Sequence, residues 1–339
     1  MATRIGINGF GRIGRQSLRT MKMYHPEELE IVAINSPANI ENLARLLKYD
    51  SDYGRYPGTV EPADDSLIID GKHVQVTAEK EPMNIPWEQT GVQIVIEAAG
   101  AFRDRNLAAG HLEHGVRKVI ITAPVRARNE DITIVYGVNE EQYDPAQHHV
   151  ISNASCTTNC VAPIAKVLHD EFRISKGFIS TIHAYTTDQR LLDNSHKDAR
   201  RGRSAALNII PTSTGAGPAT AQVIPDLKGK ITGIAYRVPT SVVSLTDFSV
   251  GLERRASVEE VNGVLKAAAE GRLKGIMDYC DEPLVSTDFK GNPASSIVDS
   301  LCTMMADGDM IKILSWYDNE WGYAARTSDV AVLLAKKGL

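Results

Sequence analysis

The chain has 339 residues, 43% of them hydrophobic and 23% charged, with a formal net charge of -5, which suits one large core or two ordinary domains. The charge is small and forms no acidic or basic block, so nucleic-acid and membrane-surface partners lose support and small molecules gain it. The N-terminus lacks the features of a secretory signal, no run reaches the length of a membrane span, and Cys156, Cys160, Cys280 and Cys302 are too sparse for a disulfide scaffold or a zinc site, so a reducing cytoplasm and no metal are expected.

Taken in chain order, the first third alternates short apolar runs with helix-period segments. Residues 4–8, 30–35, 73–77, 93–97, 118–122 and 132–136 read as strands, and residues 13–22 and 40–48 as helices. That rhythm predicts a doubly wound, mainly parallel sheet. Beyond about residue 155 the pattern changes to a helix near 161–172, long polar loops over 186–217, and longer strands at 231–239 and 242–252. An antiparallel or mixed sheet with helices on one face follows from it. Val258, Val261, Val264 and Leu265 mark residues 257–269 as an amphipathic helix, and a last helix covers about 328–337. No internal repeat or low-complexity tract interrupts the chain.

Directly after the first strand, Ile5-Gly-Ile-Asn-Gly-Phe-Gly-Arg-Ile-Gly14 places Gly9, Gly11 and Gly14 in the spacing G-x-G-x-x-G, directly ahead of a helix. The first glycine permits the turn, the second lets a pyrophosphate approach the backbone, and the third lets helix and strand pack closely. The helix N-terminus adds amide donors and a positive dipole. At the end of the second strand, where NAD enzymes usually carry a carboxylate for the ribose hydroxyls, stands Asn35-Ser36-Pro37. Without that carboxylate nothing repels a 2'-phosphate, so both NAD and NADP are admissible cofactors; Ser36 is equally an ordinary turn residue. Lys80 is a candidate cation for the adenosine ribose edge.

Further on, Cys156 lies among small polar residues just ahead of the helix expected near residue 161. A helix N-terminus and a neighbouring imidazolium both lower a thiol pKa and make a nucleophile. His183 follows an apolar strand and is the candidate base. Cys160, one helical turn beyond Cys156, reads as a buried apolar residue. The remaining histidines singled out, His73, His111, His114, His148, His149, His169 and His196, take the default surface or core reading.

Seven motifs in order carry a resemblance over essentially the whole chain: Ile7-Asn-Gly-Phe-Gly-Arg-Ile-Gly14, Leu46-Leu-Lys-Tyr-Asp50, Ser152-Asn-Ala-Ser-Cys-Thr-Thr-Asn-Cys160, His183-Ala-Tyr-Thr186, Pro211-Thr-Ser-Thr-Gly215, Tyr236-Arg-Val-Pro239 and Trp316-Tyr-Asp-Asn-Glu320. The chain resembles the phosphorylating glyceraldehyde-3-phosphate dehydrogenases. The resemblance implies a Rossmann-type cofactor domain over residues 1–155, with a C-terminal helix over 320–339 packing back on it, and an α+β catalytic domain over 156–319. It implies Cys156 as nucleophile and His183 as its activator, Arg12 and Ile13 at the pyrophosphate turn, Thr122 near the nicotinamide-side ribose, and Tyr317 and Asn319 by the nicotinamide. Thr186, Arg201 and Arg237 resemble the residues for the substrate phosphate, and Ser155, Thr157, Thr214 and Gly215 those for the attacking inorganic phosphate. A cytoplasmic homotetramer acting on a small-molecule substrate, with neither membrane nor nucleic acid as primary partner, is what the family suggests.

The sequence also departs from the family pattern. Besides Ser36, Asn194-Ser195 stand where strictly NAD-dependent relatives tend to carry a bulkier Leu-Pro pair on a loop that, in a tetramer, reaches the neighbouring subunit's cofactor. Both departures favour NADP acceptance and a reducing, anabolic direction. Thr240-Ser-Val-Val243 and Ala99 depart as well, Ala99 removing one possible hydroxyl contact with the cofactor. The nearest rival within the resemblance is erythrose-4-phosphate dehydrogenase, which releases its acid by hydrolysis. From another class, the chain suits a non-catalytic cofactor-binding or regulatory protein, because fold does not fix function.

Overall fold

The computed structural model describes residues 2–125 and 127–339, and the chain packs into two units. One holds the residues up to Ile134 together with Glu140–Ala154 and Ala324–Leu339; the other holds Val135–Asn139 and Ser155–Tyr323.

The first unit is built on a nine-stranded sheet. Its order from edge to edge is Ile132–Thr133, Val150–Ser152, Lys118–Ile121, Ile94–Glu97, Thr3–Asn8, Leu29–Asn35, Lys72–Thr77, Ser66–Ile69 and Val60–Pro62. Every pairing up to Lys72–Thr77 is parallel, and the last two strands join antiparallel. A parallel sheet covered on both faces needs apolar residues without alternation, and Ile5, Ile7, Ile34, Ile94, Ile96 and Ile120 are all fully buried. Leu18 and Met21 of the helix Arg12–Tyr24 and Val330, Ala331 and Leu334 of the helix Trp321–Lys337 enter the same apolar cluster.

Three differences from the sequence expectation concern this unit. The strand expected over 132–136 stops at Thr133, because the Asn139 side chain accepts from Val135 N–H and folds the segment into a turn. Strands Val60–Pro62, Ser66–Ile69 and Val150–Ser152 were not expected at all. The last helix starts at Trp321, seven residues before the position that apolar periodicity marks.

The second unit carries a seven-stranded mixed sheet. Its order is Ile210–Ser213, Ile231–Val238, Ile174–Ala184, Ser244–Leu252, Met310–Tyr317, Ser296–Ala306 and Met277–Cys280. Alternation along Ile174–Ala184 separates a covered face, with Ile179, Thr181 and His183 buried, from an open one where Phe178 is 63% exposed. Long polar loops were expected over 186–217, yet a strand and the start of the helix Ala216–Val223 form there. Pro211 looks like a breaker, but it sits in an edge strand, where its missing N–H costs no ladder bond. The helix expected from about residue 161 begins at Cys156, since Ser155 caps it by accepting from Thr158 N–H at 3.0 Å.

Candidate active site

In the first unit, the turn from Gly9 to Gly14 joins the strand Thr3–Asn8 to the helix Arg12–Tyr24 at the carboxyl end of the parallel sheet, where ligands of such folds bind. Two of its glycines answer to the protein itself. Gly9 has φ +89°, and a Cβ there would lie 2.4 Å from Ala99 N; at Gly14 a Cβ would lie 2.2 Å from Gly9 O. Gly11 is different: nothing lies within 4 Å of its missing Cβ. The fold therefore has no steric need for glycine at the first turn of this helix, whereas a pyrophosphate laid on the helix amides does. The turn thus fits a dinucleotide.

The neighbouring candidates fall around this turn to differing degrees. Arg12 is pinned by Asp50 at 2.6 Å, with Asp52 at 3.5 Å and the Tyr53 ring beneath it, and Ile13 is half-buried in the first helical turn. Ser36 is buried, its N–H given to Thr77 O. Thr122 donates its amide and its hydroxyl to Glu97 O, each at 3.0 Å. Lys80 is exposed.

In the second unit, Cys156 is the first residue of the helix Cys156–Phe172, and His183 lies on the covered face near the end of the strand Ile174–Ala184. The two meet, with Cys156 Sγ 3.5 Å from His183 Nε2. Arg237, on the adjacent parallel strand in register with His183, places Nη1 2.8 Å from His183 Nδ1 and 3.3 Å from Thr186 Oγ1. Nδ1 donates to Ala184 O at 2.7 Å, which leaves Nε2 without a hydrogen on the side of the thiol, and Arg237 Nη1 gives its own hydrogen to the same carbonyl at 3.1 Å. Tyr317 is buried and stands edge-on to His183, its hydroxyl 2.9 Å from Thr157 Oγ1 and 2.8 Å from Thr181 Oγ1.

The electrostatics differ from the expected thiolate beside an imidazolium. Burial pushes the Cys156 thiol up, with the Arg237 charge and the Thr157 amide pulling against it. Burial, reinforced by the Arg237 charge, lowers His183 to about 3, so the imidazole is neutral at physiological pH and keeps a site for a proton. The cation that favours a sulfur anion here is Arg237. Cys160 is fully buried, its thiol pushed up to about 11 by burial, with Thr246 Oγ1 at 3.3 Å, the environment of a packing residue.

Among the anion candidates, Thr186, Arg201 and Arg237 converge through Asp188. Asp188 accepts from Thr186 Oγ1 at 2.6 Å and pairs with Arg201. Burial tends to raise the Asp188 carboxyl, but the Thr186 hydroxyl and the Arg201 charge outweigh it and hold it low. Asp188 was not singled out in the sequence, although it lies only two residues beyond Thr186. Ser155 Oγ accepts from Thr158 N–H as the helix cap, and Thr157 is buried with its Oγ1 2.9 Å from the Tyr317 hydroxyl. Thr214 and Gly215 lie at the start of the helix Ala216–Val223, where Thr214 Oγ1 accepts from Ala216 N–H. Asn194 and Ser195 are exposed on their loop.

Asn319 is buried, and its Oδ1 accepts from Ser244 Oγ at 2.9 Å; Ser244 Oγ in turn accepts from Ala184 N–H. This fixes the amide's orientation and leaves its Nδ2 donors for another partner. Ser244 is a second residue the sequence did not mark. Its predecessor Val243 has φ +67°, a strained conformation for a β-branched residue and the structural counterpart of the unusual Thr240-Ser-Val-Val243 run. Among the described residues no group of three or more His, Cys, Asp or Glu is arranged to hold a metal ion.

Residues 3–105 match the family model described as glyceraldehyde 3-phosphate dehydrogenase, NAD binding domain, and the fold and site so placed define an NAD-dependent oxidoreductase. Residues 155–319 match the corresponding C-terminal domain. The chain is 55% identical, over the whole of both chains, to glyceraldehyde-3-phosphate dehydrogenase of Geobacillus stearothermophilus. It is 54% identical, again over the whole of both, to glyceraldehyde-3-phosphate dehydrogenase 1 of Bacillus subtilis (strain 168). With glyceraldehyde-3-phosphate dehydrogenase 2 of Trichormus variabilis it shares 51% over 98% of this chain and 99% of the relative. The chain belongs to the glyceraldehyde-3-phosphate dehydrogenase family.

Proposed function

We propose that the chain catalyses the reversible oxidation of glyceraldehyde 3-phosphate, with NAD(P)+ and inorganic phosphate, to 1,3-bisphosphoglycerate. The observation that carries this reading is the 3.5 Å approach of a helix-start thiol to a neutral imidazole beside Arg237. Cys156 Sγ attacks the aldehyde carbon to give a hemithioacetal, and Nε2 of His183 takes the hydroxyl proton as the carbon gives up hydride. The nicotinamide, when bound, supplies the hydride acceptor. Gly9, Gly11, Gly14, Arg12 and Ile13 hold the dinucleotide, and the free donors of Asn319 serve its nicotinamide end. Arg201, Arg237 and Thr186 grip the substrate's phosphate, with Asp188 keeping Arg201 and Thr186 in place. The product of the first half-reaction is a thioester on Cys156. Inorganic phosphate, held by the start of the helix Ala216–Val223 with Thr214, and by Ser155 and Thr157, attacks it and frees the thiol.

NADP acceptance is part of the proposal. It is supported by Ser36, a small neutral residue where a carboxylate would repel the 2'-phosphate, and by the slight, exposed Asn194 and Ser195. A homotetramer is supported by Leu191, Leu192, Leu207 and Ile209, four large apolar side chains 69–82% exposed on one loop region. Residence in the cytoplasm is supported by four free thiols.

Initial rates measured while phosphate and both cofactors are varied test the whole reading. The expected result is turnover that requires phosphate, with NADP efficiency within about a hundredfold of NAD, a gap of ~2.7 kcal/mol in transition-state binding. Turnover indifferent to phosphate would favour the hydrolytic relative, and a wider cofactor gap would remove NADP.

A further inference from the structure

A buried chain of side-chain hydrogen bonds crosses the first unit at the carboxyl ends of its strands. Trp87 Nε1 donates to His111 Nδ1 at 3.0 Å, and His111 Nε2 meets Glu97 Oε2 at 3.0 Å. Asn8 Nδ2 donates to the same carboxylate oxygen at 2.5 Å, Asn35 Nδ2 donates to Asn8 Oδ1 at 2.8 Å, and Thr77 Oγ1 and Glu79 N both donate to Asn35 Oδ1 at 2.8 Å. Trp87, His111, Glu97, Asn8 and Asn35 are at most 4% exposed. Asn8, Asn35, Thr77 and Glu97 are each the final residue of their strand.

One end of the chain dictates every orientation along it. An indole N–H only donates, so His111 Nδ1 accepts, the ring is neutral with its hydrogen on Nε2, and Glu97 is the acceptor. Asn8 then has to turn its amide nitrogen to Glu97 and its oxygen to Asn35. Glu97 is the hub. Its second carboxylate oxygen accepts from Ala99 N at 2.8 Å, and its carbonyl takes both bonds from Thr122. Ala98 N donates to Asn8 O at 2.7 Å, Gly9 N donates to Asn35 O at 2.9 Å, and Gly9 abuts Ala99 so closely that no Cβ fits.

A carboxylate at the end of Ile94-Val-Ile-Glu97 is a costly choice for a strand buried throughout, where an apolar residue would pack without desolvation. We propose that Glu97 is a positioning residue for the cofactor, fixing three cofactor-side segments against one another: Gly9 to Gly14, Ala98 to Gly100 and Asn35 to Ser36. Its own side chain touches no ligand; it acts through the backbone and through Asn8. The inference rests on the reading that the Gly9 to Gly14 turn receives the pyrophosphate.

Glu97→Gln keeps shape and volume but puts an N–H against a donor on one side or the other. Calorimetric titration of the purified, full-length variant with NAD is expected to show Kd raised at least tenfold, with KM for NAD rising in step and kcat at saturating NAD within threefold of the parent. Alkylation of Cys156 without cofactor is expected to stay within twofold. Should Glu97→Gln fail to fold, Asn8→Ala cuts the link to the glycine turn while leaving the carboxylate its other donors, and an increase in Kd of at least threefold is expected. Parental affinity in Glu97→Gln, or in Asn8→Ala where that variant stands in for it, overturns the proposal, as does loss of affinity that merely parallels loss of Cys156 reactivity. Gly11→Val separates the two readings: if it also binds NAD like the parent, the assignment of the glycine turn fails, whereas loss of binding there with parental Glu97→Gln overturns the Glu97 proposal alone.

Discussion

Arg237 carries two duties. As the cation 2.8 Å from His183 Nδ1 it lowers the imidazole and favours a sulfur anion, and as a forked donor beside Thr186 it suits a phosphate. Removing it in Arg237→Leu takes away a charge that pulls the Cys156 pKa down, so the alkylation rate of Cys156 should rise at higher pH than in the parent. It should also raise KM for glyceraldehyde 3-phosphate by roughly 10- to 100-fold, as expected when a charge-assisted hydrogen bond worth about 1.5–3 kcal/mol is lost. An unmoved alkylation profile would mean that the charge is not felt at the sulfur. At this scale the sequence was informative about residue type and weak about environment. Cys156 and His183 stood out because a thiol and an imidazole have recognisable chemistry. The neutral imidazole did not, because burial and the register of Arg237 opposite His183 are properties of the folded sheet.

At the scale of elements, the glycine turn divides into residues required by packing and one that is not. Gly14→Ala forces a Cβ to 2.2 Å from Gly9 O and should cost more than about 2 kcal/mol in a denaturant titration, as overpacking does. Gly11→Val meets open space and should leave the unfolding midpoint nearly unchanged while abolishing tight cofactor binding. Equal destabilisation by both would remove the distinction. Periodicity located the central parallel strands and the helix Ile40–Lys48 because their apolar patterns are long and uninterrupted. It missed the two-residue ending at Thr133 and the early start of the helix at Cys156. Those boundaries are set by single side-chain bonds, Asn139 to Val135 and Ser155 to Thr158, which no period reveals.

For the whole molecule, motif order along the chain was enough to read a cofactor sheet followed by a catalytic sheet. The polar wiring inside them was hidden. Glu97 and His111 are distant in sequence from Asn8, Glu97 reading only as the end of an expected strand and His111 as an ordinary surface or core histidine, and Asp188 and Ser244 act by orienting neighbours and not by any reactivity of their own. The proposed assembly draws on what a single chain leaves uncovered. A chain of 37.0 kDa with four large apolar side chains exposed on one loop region should sediment as a tetramer, and Leu192→Asp with Ile209→Asp should shift it to smaller species. A parent that sediments as a monomer would rule out the assembly.

The covalent step is tested most directly by mixing the protein with glyceraldehyde 3-phosphate and NAD in the absence of phosphate, quenching in acid, and mapping peptides by mass spectrometry. The account predicts a phosphoglyceroyl group on the peptide containing Cys156, absent from Cys156→Ser and lost when phosphate is added before the quench. An enzyme that turns over fully with Cys156 unmodified, or an acyl group found on another residue, would contradict it.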